Sequence, residues 1–209
     1  MARLMGKIFK AIGGLATDKV VEVSRGDLVG QYMGHTAIKT KDVIKSAMDG
    51  ILFIDEAYTL NQGERDEFGH EAIDTLLKEM EDHRDRLVVI IAGYTRDIEN
   101  FISSNSGLES RFTQYVEFEN YTPDELMEII MGMARKSKLT LDERANGDLY
   151  GYFMRIANPA NPKFGNAREA RKIFEKILAY HSMNIGKEGF DMSLLTESEI
   201  RQAIEYLQK

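Results

Sequence analysis

The sequence has no cysteine among its 209 residues. That absence excludes disulfides, zinc–thiolate sites and thiol chemistry. No apolar run approaches the roughly 20 residues that a membrane-spanning helix needs. Residues 1–10 also lack the apolar region and the cleavage site of a signal peptide. We therefore expect a cytoplasmic protein with no membrane partner.

Positive charge is also scarce, because 27 Lys and Arg residues are set against 34 Asp and Glu residues, giving a net charge of −7. This balance disfavours general binding to nucleic acid. Hydrophobic residues make up 43% and charged residues 29% of the chain, which is ordinary for a globular protein. The length fits one large domain, or one medium domain with a small appendage.

The most informative segment is residues 51–56, where four large apolar residues run without alternation into Asp55 and Glu56. Such a run predicts a strand that is buried on both faces, as in a parallel sheet. Open α/β sheets place their ligands at the carboxyl ends of the strands. An acid there can hold Mg²⁺ through water while its neighbour orients a nucleophilic water. This is the pattern of a Walker B motif.

The first two thirds of the chain alternate between helix and strand patterns. Strands are predicted at residues 20–23, 51–54 and 87–92, with a shorter one at 115–118. Amphipathic spacing predicts helices between them, and the alternation predicts a parallel sheet with helices on both faces. The fold class is therefore α/β.

After Tyr121 the pattern becomes helical. Thr122 is a predicted helix N-cap, followed by Pro123 at the first helical position and by Glu125, which completes a capping box. Thr196 repeats this signal with Glu199. We therefore expect two domains, an α/β domain at residues 1–120 and an all-helical lid at residues 121–209.

Three further polar residues lie near the ends of later predicted elements. Tyr94 lies at the end of the strand at 87–92, Arg111 precedes the predicted strand at 115–118, and Arg168 opens a later helix. An acidic pair, a polar strand end and two separated arginines suit phosphoryl transfer, which needs a metal, an oriented water and positive charge on the phosphate oxygens.

Five stretches of the sequence resemble the AAA+ ATPases, and in particular the branch that contains stage V sporulation protein K and the red-type Rubisco activase (CbbX-like). They occur in the family's order and span most of the chain. The matching stretches are residues 28–36, 50–58, 91–94, 107–112 and 165–168.

The resemblance implies a role for each matching residue. Asp55 is similar to the Walker B acid that holds Mg²⁺ through water, and Glu56 is similar to the catalytic glutamate that orients the attacking water. Arg111 resembles the arginine finger that serves a neighbouring subunit. Arg168 resembles the sensor 2 arginine, although a solvated charge at a helix start is the alternative. Tyr94 stands where the wider superfamily often has an asparagine as sensor 1.

Tyr32, Met33 and Gly34 resemble the first pore loop of the family. The resemblance implies a ring, expected to be a hexamer, in which such loops grip a protein client that is threaded through the channel. ATP and Mg²⁺ are the implied cofactors. From the residues alone, a buried Tyr–Met pair near a turn is the alternative, whereas the flanking Gly30 and Gly34 favour a mobile loop.

The sequence contains no Gly-x-x-x-x-Gly-Lys-Ser/Thr, the loop that cradles phosphates. In the family this loop immediately precedes a helix similar to residues 2–9, so the chain resembles a member that lacks the first strand and Walker A. We expect negligible ATPase activity from these residues alone.

Without that strand, we expect residues near Val116 to pair with the strand at 87–92, or strands to exchange between chains. Two alternatives to a protein-remodelling ATPase remain: a nucleotide-free interaction or scaffold module, or a clamp-loader-like AAA+ module that acts on nucleic acid.

Overall fold

The computed structural model describes residues 2–32, 34–157 and 164–208. The chain forms two compact units, Met1–Glu117 and Phe118–Lys209. Each unit has a hydrophobic core of its own, drawn from residues 23–112 in the first and residues 126–204 in the second. Within the described residues, no helix combines the length and the apolarity that crossing a membrane requires.

A three-stranded parallel sheet forms the centre of the first unit. Its strands are β1 (Val20–Val23), β2 (Gly50–Ile54) and β3 (Leu87–Ile91), in the order β1-β2-β3. In the register of the sheet, Val20 pairs with Ile51 and Ile51 with Val88. The three strands predicted from the apolar runs and their parallel pairing are therefore confirmed.

Helices cover both faces of this sheet. Leu52 and Ile54 belong to the main core cluster, whereas Ile51 points to the opposite face and is also fully buried. The helices of this unit are α1 (Ala2–Ala11), α2 (Arg25–Leu28), α3 (His35–Ala47), α4 (Glu67–Asp82), α5 (Thr95–Ser103) and α6 (Ser106–Arg111). Helix α1 packs on β1 and β2. Helix α3 also contacts β1 and β2, α4 contacts β3, and α3 and α4 pack on each other.

The predicted strand at residues 115–118 is wrong. Residues 112–122 adopt neither helix nor strand, and Val116 is 70% exposed. The predicted pairing of Val116 with residues 87–92 is also wrong, because the order of the sheet ends at β3. A strand needs a neighbour for its backbone and a surface for its apolar face, and this segment has neither in the described part of the unit. Strand exchange between chains stays a prediction.

The described residues of the second unit form four α-helices, a short 3₁₀ turn (Glu143–Ala145) and one very short parallel sheet. The helices are α7 (Pro123–Lys136), α8 (Asn146–Ile156), α9 (Ala167–Met183) and α10 (Glu197–Leu207). The strands β4 (Thr140–Leu141) and β5 (Leu194–Leu195) pair in parallel and were not predicted. Both predicted capping boxes are confirmed, with Thr122 and Glu125 opening α7 and Thr196 and Glu199 opening α10.

Candidate functional site

The carboxyl end of β2 presents two exposed acids, Asp55 and Glu56. The backbone N–H of Asp55 still donates to the carbonyl of Val23, at 2.8 Å, so the acid sits where the β1–β2 ladder stops. One carboxylate oxygen of Asp55 accepts from the N–H of Glu56 at 3.1 Å. Asp55 therefore lies exposed at the carboxyl end of the strand, where open α/β sheets bind ligands.

Glu56 adopts a left-handed backbone conformation, with φ 47° and ψ 46°. Such a conformation costs a non-glycine residue about 1–2 kcal/mol. It is held by Thr59, whose N–H and hydroxyl both donate to the carbonyl of Glu56, at 2.9 and 2.7 Å. The 3₁₀ turn Ala57–Leu60 thereby holds the backbone of Glu56 in place. Strain of this kind concentrates at functional sites.

The end of β3 lies beside this turn. The N–H of Ala92 donates to Ile54 at 2.9 Å, and the N–H of Ala57 donates to Ala92 at 3.1 Å. Gly93 packs so closely on the ring of Tyr58 that an added Cβ would lie 2.8 Å from it. The next residue is Tyr94, which is exposed and caps α5. The structure thus places the segment that carries Tyr94 next to the acidic pair.

Tyr58 lies close to the acidic pair, and the sequence analysis gave it no role of its own. Burial raises the pKa of its hydroxyl, and the negative charges of Glu56, Asp97 and Asp55 raise it further. These carboxylates give the end of the sheet a negative potential. The only local signal in the sequence is that Tyr58 follows two residues after Asp55–Glu56.

A divalent cation suits this end of the sheet. Mg²⁺ keeps most of its waters and binds through one or two carboxylates together with substrate phosphates, so one exposed carboxylate such as Asp55 is a fitting ligand. Among the described residues, no group of three or more His, Cys, Asp or Glu side chains converges on a metal position. The donor set therefore matches a water-mediated ion shared with a ligand.

Arg111 is the last residue of α6 and is held against α4. Its Nη2 lies 3.3 Å from the carboxylate of Glu81, and its Nη1 lies 3.4 Å from the carbonyl of Gly107. Its Nε is buried without a hydrogen-bond partner. The hydrogen bonds of Arg111 go to Gly107, Ser110 and Glu81, within its own unit. The strand that was predicted to follow it at residues 115–118 is not formed.

Tyr32 is 67% exposed, so the alternative of a buried Tyr–Met pair fails for this residue. Its ring meets that of His35 edge-on, with 5.6 Å between centroids. Gly34 has φ 79°, a conformation that favours glycine. Glycine is required at position 30 for a different reason, because a Cβ there would lie 2.8 Å from the backbone nitrogen of Thr36. Met33 lies outside the described residues.

Arg168 belongs to the second unit, where it is exposed in the first turn of α9. The N-cap of this helix, Asn166, has φ 53°. Its side chain accepts from the N–H of Tyr121 at 2.9 Å and donates to the side chain of Asn120 at 2.7 Å. The start of α9 is thereby tied to the segment that leads into α7.

Two family patterns match the sequence. The ATPase family associated with various cellular activities (AAA) matches residues 5–120, and the AAA lid domain matches residues 122–209. Among curated proteins, stage V sporulation protein K of Bacillus subtilis (strain 168) is 43% identical over 186 residues, which are 88% of this chain and 58% of that protein.

A second curated relative is the ESX-3 secretion system protein EccA3 of Mycolicibacterium smegmatis, 43% identical over 188 residues, which are 84% of this chain and 31% of that protein. The chain therefore spans only part of the length of both relatives. Among solved structures, the FIGL-1 AAA domain in complex with ADP aligns with a TM-score of 0.63 at 14% identity, over 98% of this chain and 67% of that one. This likeness concerns the fold.

Proposed function

Because the chain belongs to the ATPase family associated with various cellular activities (AAA), we propose that it supplies the acidic half of an ATPase site and the lid of a ring-forming protein remodeller. The observation that carries the proposal is the exposed pair Asp55–Glu56 at the end of β2, with Glu56 strained and held by Thr59. The likeness to a domain crystallised with ADP supports a nucleotide as the ligand.

Asp55 and Glu56 have distinct tasks in this proposal. Asp55 holds Mg²⁺ through water, and bound Mg·ATP supplies the phosphoryl group together with the metal charge that polarises it. Glu56 accepts a hydrogen bond from the attacking water and orients it, and the turn behind Glu56 holds the backbone from which its side chain extends. Tyr94, at the neighbouring strand end, is the proposed sensor of the phosphate.

Two arginines are proposed to supply positive charge. Arg111 serves the nucleotide of a neighbouring subunit, and its long contacts to Glu81 and Gly107 suit a side chain that exchanges partners. Arg168, exposed in the first turn of α9, is the proposed sensor 2 arginine. In a ring, proposed to be a hexamer, each site would thus combine residues of two subunits.

The proposed client is an extended protein segment. Tyr32 presents an exposed aromatic ring at the tip of a short segment between α2 and α3, and an aromatic ring can grip many different side chains by apolar contact. With Met33 and Gly34 it is the proposed pore loop. The net charge of −7 favours a protein over a nucleic acid as the threaded partner.

Binding measurements at two salt concentrations separate these partners. An unfolded polypeptide should bind the wild-type chain with little dependence on salt, and Tyr32→Ala should weaken that binding, whereas Tyr206→Ala, an exposed tyrosine of the second unit, should not. Binding of single-stranded DNA that is stronger and falls steeply with salt would favour the clamp-loader-like alternative instead. Binding of neither, with or without nucleotide, would favour a scaffold role.

A further inference from the structure

Arg25 and Asp66 form a second charged centre in the first unit, separate from Asp55 and Glu56. Arg25 opens α2, and its guanidinium donates to both carboxylate oxygens of Asp66, at 2.6 Å from Nη1 and 2.8 Å from Nη2. The side chains are only 22% and 8% exposed. A two-point pair of this kind fixes the orientation of both planes as well as their distance.

Asp66 joins this pair to the start of α4. Its carboxylate also accepts from the N–H groups of Gln62 and Gly69, each at 3.0 Å. Gly69 is required by the packing, since a Cβ there would collide with the carbonyl of Leu60 and the carboxylate of Asp66, and would lie 2.8 Å from Arg25. The centre is therefore tightly packed and leaves Arg25 little freedom to move alone.

On one side, Arg25 is hydrogen-bonded to the turn that follows Glu56. Besides the ion pair, Nη1 of Arg25 donates to the carbonyl of Thr59 at 2.8 Å. Thr59 is the residue whose N–H and hydroxyl both hold the carbonyl of Glu56. A single residue thus separates Arg25 from the strained glutamate.

On the other side, Arg25 begins α2, and Tyr32 lies in the short segment after that helix. The carbonyl of Leu28 accepts from the hydroxyl of Thr40 at 3.1 Å, and those of Gly26 and Val29 accept from Lys39 at 2.6 and 3.0 Å. The N–H of Gly30 donates to the hydroxyl of Thr36 at 3.0 Å. Residues 25–30 are therefore bonded to α3 as one piece, and this piece ends two residues before Tyr32.

We propose that Arg25 is a positioning residue that couples the turn after Glu56 to the segment that carries Tyr32, so that the conformation of each biases the other. The roles of Glu56 and Tyr32 rest on the proposed function, whereas the coupling itself rests on the contacts of Arg25. If those roles hold, the coupling gives the site a route by which the state of the nucleotide is communicated to the protein client.

Hydrogen exchange in the 209-residue chain without nucleotide tests the coupling alone. Thr59→Val removes the hydroxyl bond to Glu56 and keeps the shape of the side chain. With Arg25 present, we expect this change to speed exchange at the amides of Val29, Gly30 and His35 by about fivefold, the lower end of ordinary coupling between sites. In the Arg25→Gln background the same change should have less than about a twofold effect, because coupled residues deviate from additivity.

The reverse direction provides an independent check, since coupling between two sites is reciprocal. His35→Ala removes the ring partner of Tyr32 and should speed exchange at Thr59 when Arg25 is present, and not in Arg25→Gln. Arg25→Lys keeps the charge and one contact, so it should restore part of the coupling. If Arg25→Gln does not fold, the test compares Arg25→Lys with the wild-type chain, and the effect of Thr59→Val should be smaller in Arg25→Lys.

Equal effects of Thr59→Val on residues 29–35 in the wild-type, Arg25→Lys and Arg25→Gln backgrounds would overturn the proposal and leave Arg25 as a structural residue. Because this experiment contains no nucleotide, its outcome is independent of whether the chain takes part in ATP hydrolysis. A coupling that is present with no turnover in any form of the chain would refute the proposed function and leave the inference standing.

Discussion

Nδ1 of His181 lies 3.1 Å from the carboxylate of Glu199 in the interior of the second unit. Glu199 is 1% exposed, and it also accepts from Asn184 at 2.7 Å and from the N–H of Thr196 at 2.8 Å. Although burial raises its pKa, the hydrogen bonds from Asn184, Thr196 and His181 together hold the pKa of Glu199 below its usual range. One carboxylate thus joins α9, the loop after it and the cap of α10.

Glu199→Gln should destabilise the second unit by about 1–3 kcal/mol, the cost of leaving buried polar partners unsatisfied. The amide can accept on one side only and meets His181 or Thr196 with an N–H where an acceptor is needed. Urea unfolding followed by circular dichroism measures this change. Glu205→Gln, on the exposed side of the same helix, is the matched control and should change stability by less than about 0.5 kcal/mol.

Acid should destabilise both units through aspartates paired with arginine. Hydrogen bonds from Arg144 lower the pKa of Asp142 from 3.8 to about 2, and those from Arg25 hold the pKa of Asp66 well below its usual range. A carboxyl whose folded pKa lies below its unfolded value contributes stability that is complete above the unfolded pKa and is lost as the pH falls through the folded one. For Asp142 that window is pH 4 to about 2.

Asp142→Asn should therefore flatten the dependence of unfolding free energy on pH in this window. The variant and the wild-type chain should differ most near neutral pH and converge at about pH 2, measured by urea unfolding at a series of pH values. Parallel curves with a constant offset would show that the charge of Asp142 contributes nothing to the acid response.

Gly69 and Gly132 both lie within helices, yet replacing them by alanine should change the stability of their units in opposite directions. At Gly69 a Cβ collides with the backbone of Leu60, so Gly69→Ala should destabilise the first unit by about 1–3 kcal/mol or more, the usual cost of overpacking. Gly132 lies inside α7 with open space around it. Gly132→Ala should stabilise the second unit by about 0.5–1 kcal/mol, since glycine is a poor helix former. Thermal unfolding of each variant measures both effects, and a neutral Gly69→Ala would contradict the packing described at Asp66.

Local patterns were sufficient for the elements whose cause is local. The apolar run before Asp55 predicted β2 and its position in a parallel sheet, because burial on both faces leaves no alternation in the sequence. The caps at Thr122 and Thr196 were predicted because a capping box spans only four residues.

The failures concern contacts between distant parts of the chain. Residues 115–118 have the composition of a strand, yet pairing depends on a neighbour that composition does not report. Arg25 and Asp66 lie 41 residues apart, and no periodicity connects them. The left-handed backbone of Glu56 was also missed, since Thr59 imposes it through the folded turn. The position of Asp55 and Glu56 at a strand end could be predicted from the apolar run before them. The contacts of Thr59 that hold the backbone of Glu56 could not.

In the proposed function, Glu56 belongs to an ATPase site, whereas the sequence contains no Gly-x-x-x-x-Gly-Lys-Ser/Thr to hold the phosphates. The proposal is tested most directly by ATP turnover, measured for the 209-residue chain and for the same chain extended upstream by a segment carrying Gly-x-x-x-x-Gly-Lys-Thr, each with and without Glu56→Gln.

We expect no turnover above background from the 209-residue chain, with or without the substitution. The extended chain should hydrolyse ATP, and Glu56→Gln should lower its turnover by about 10²–10⁴-fold, the usual contribution of a general base. Turnover by the 209-residue chain that Glu56→Gln abolishes, or turnover by the extended chain that Glu56→Gln leaves unchanged, would contradict the account.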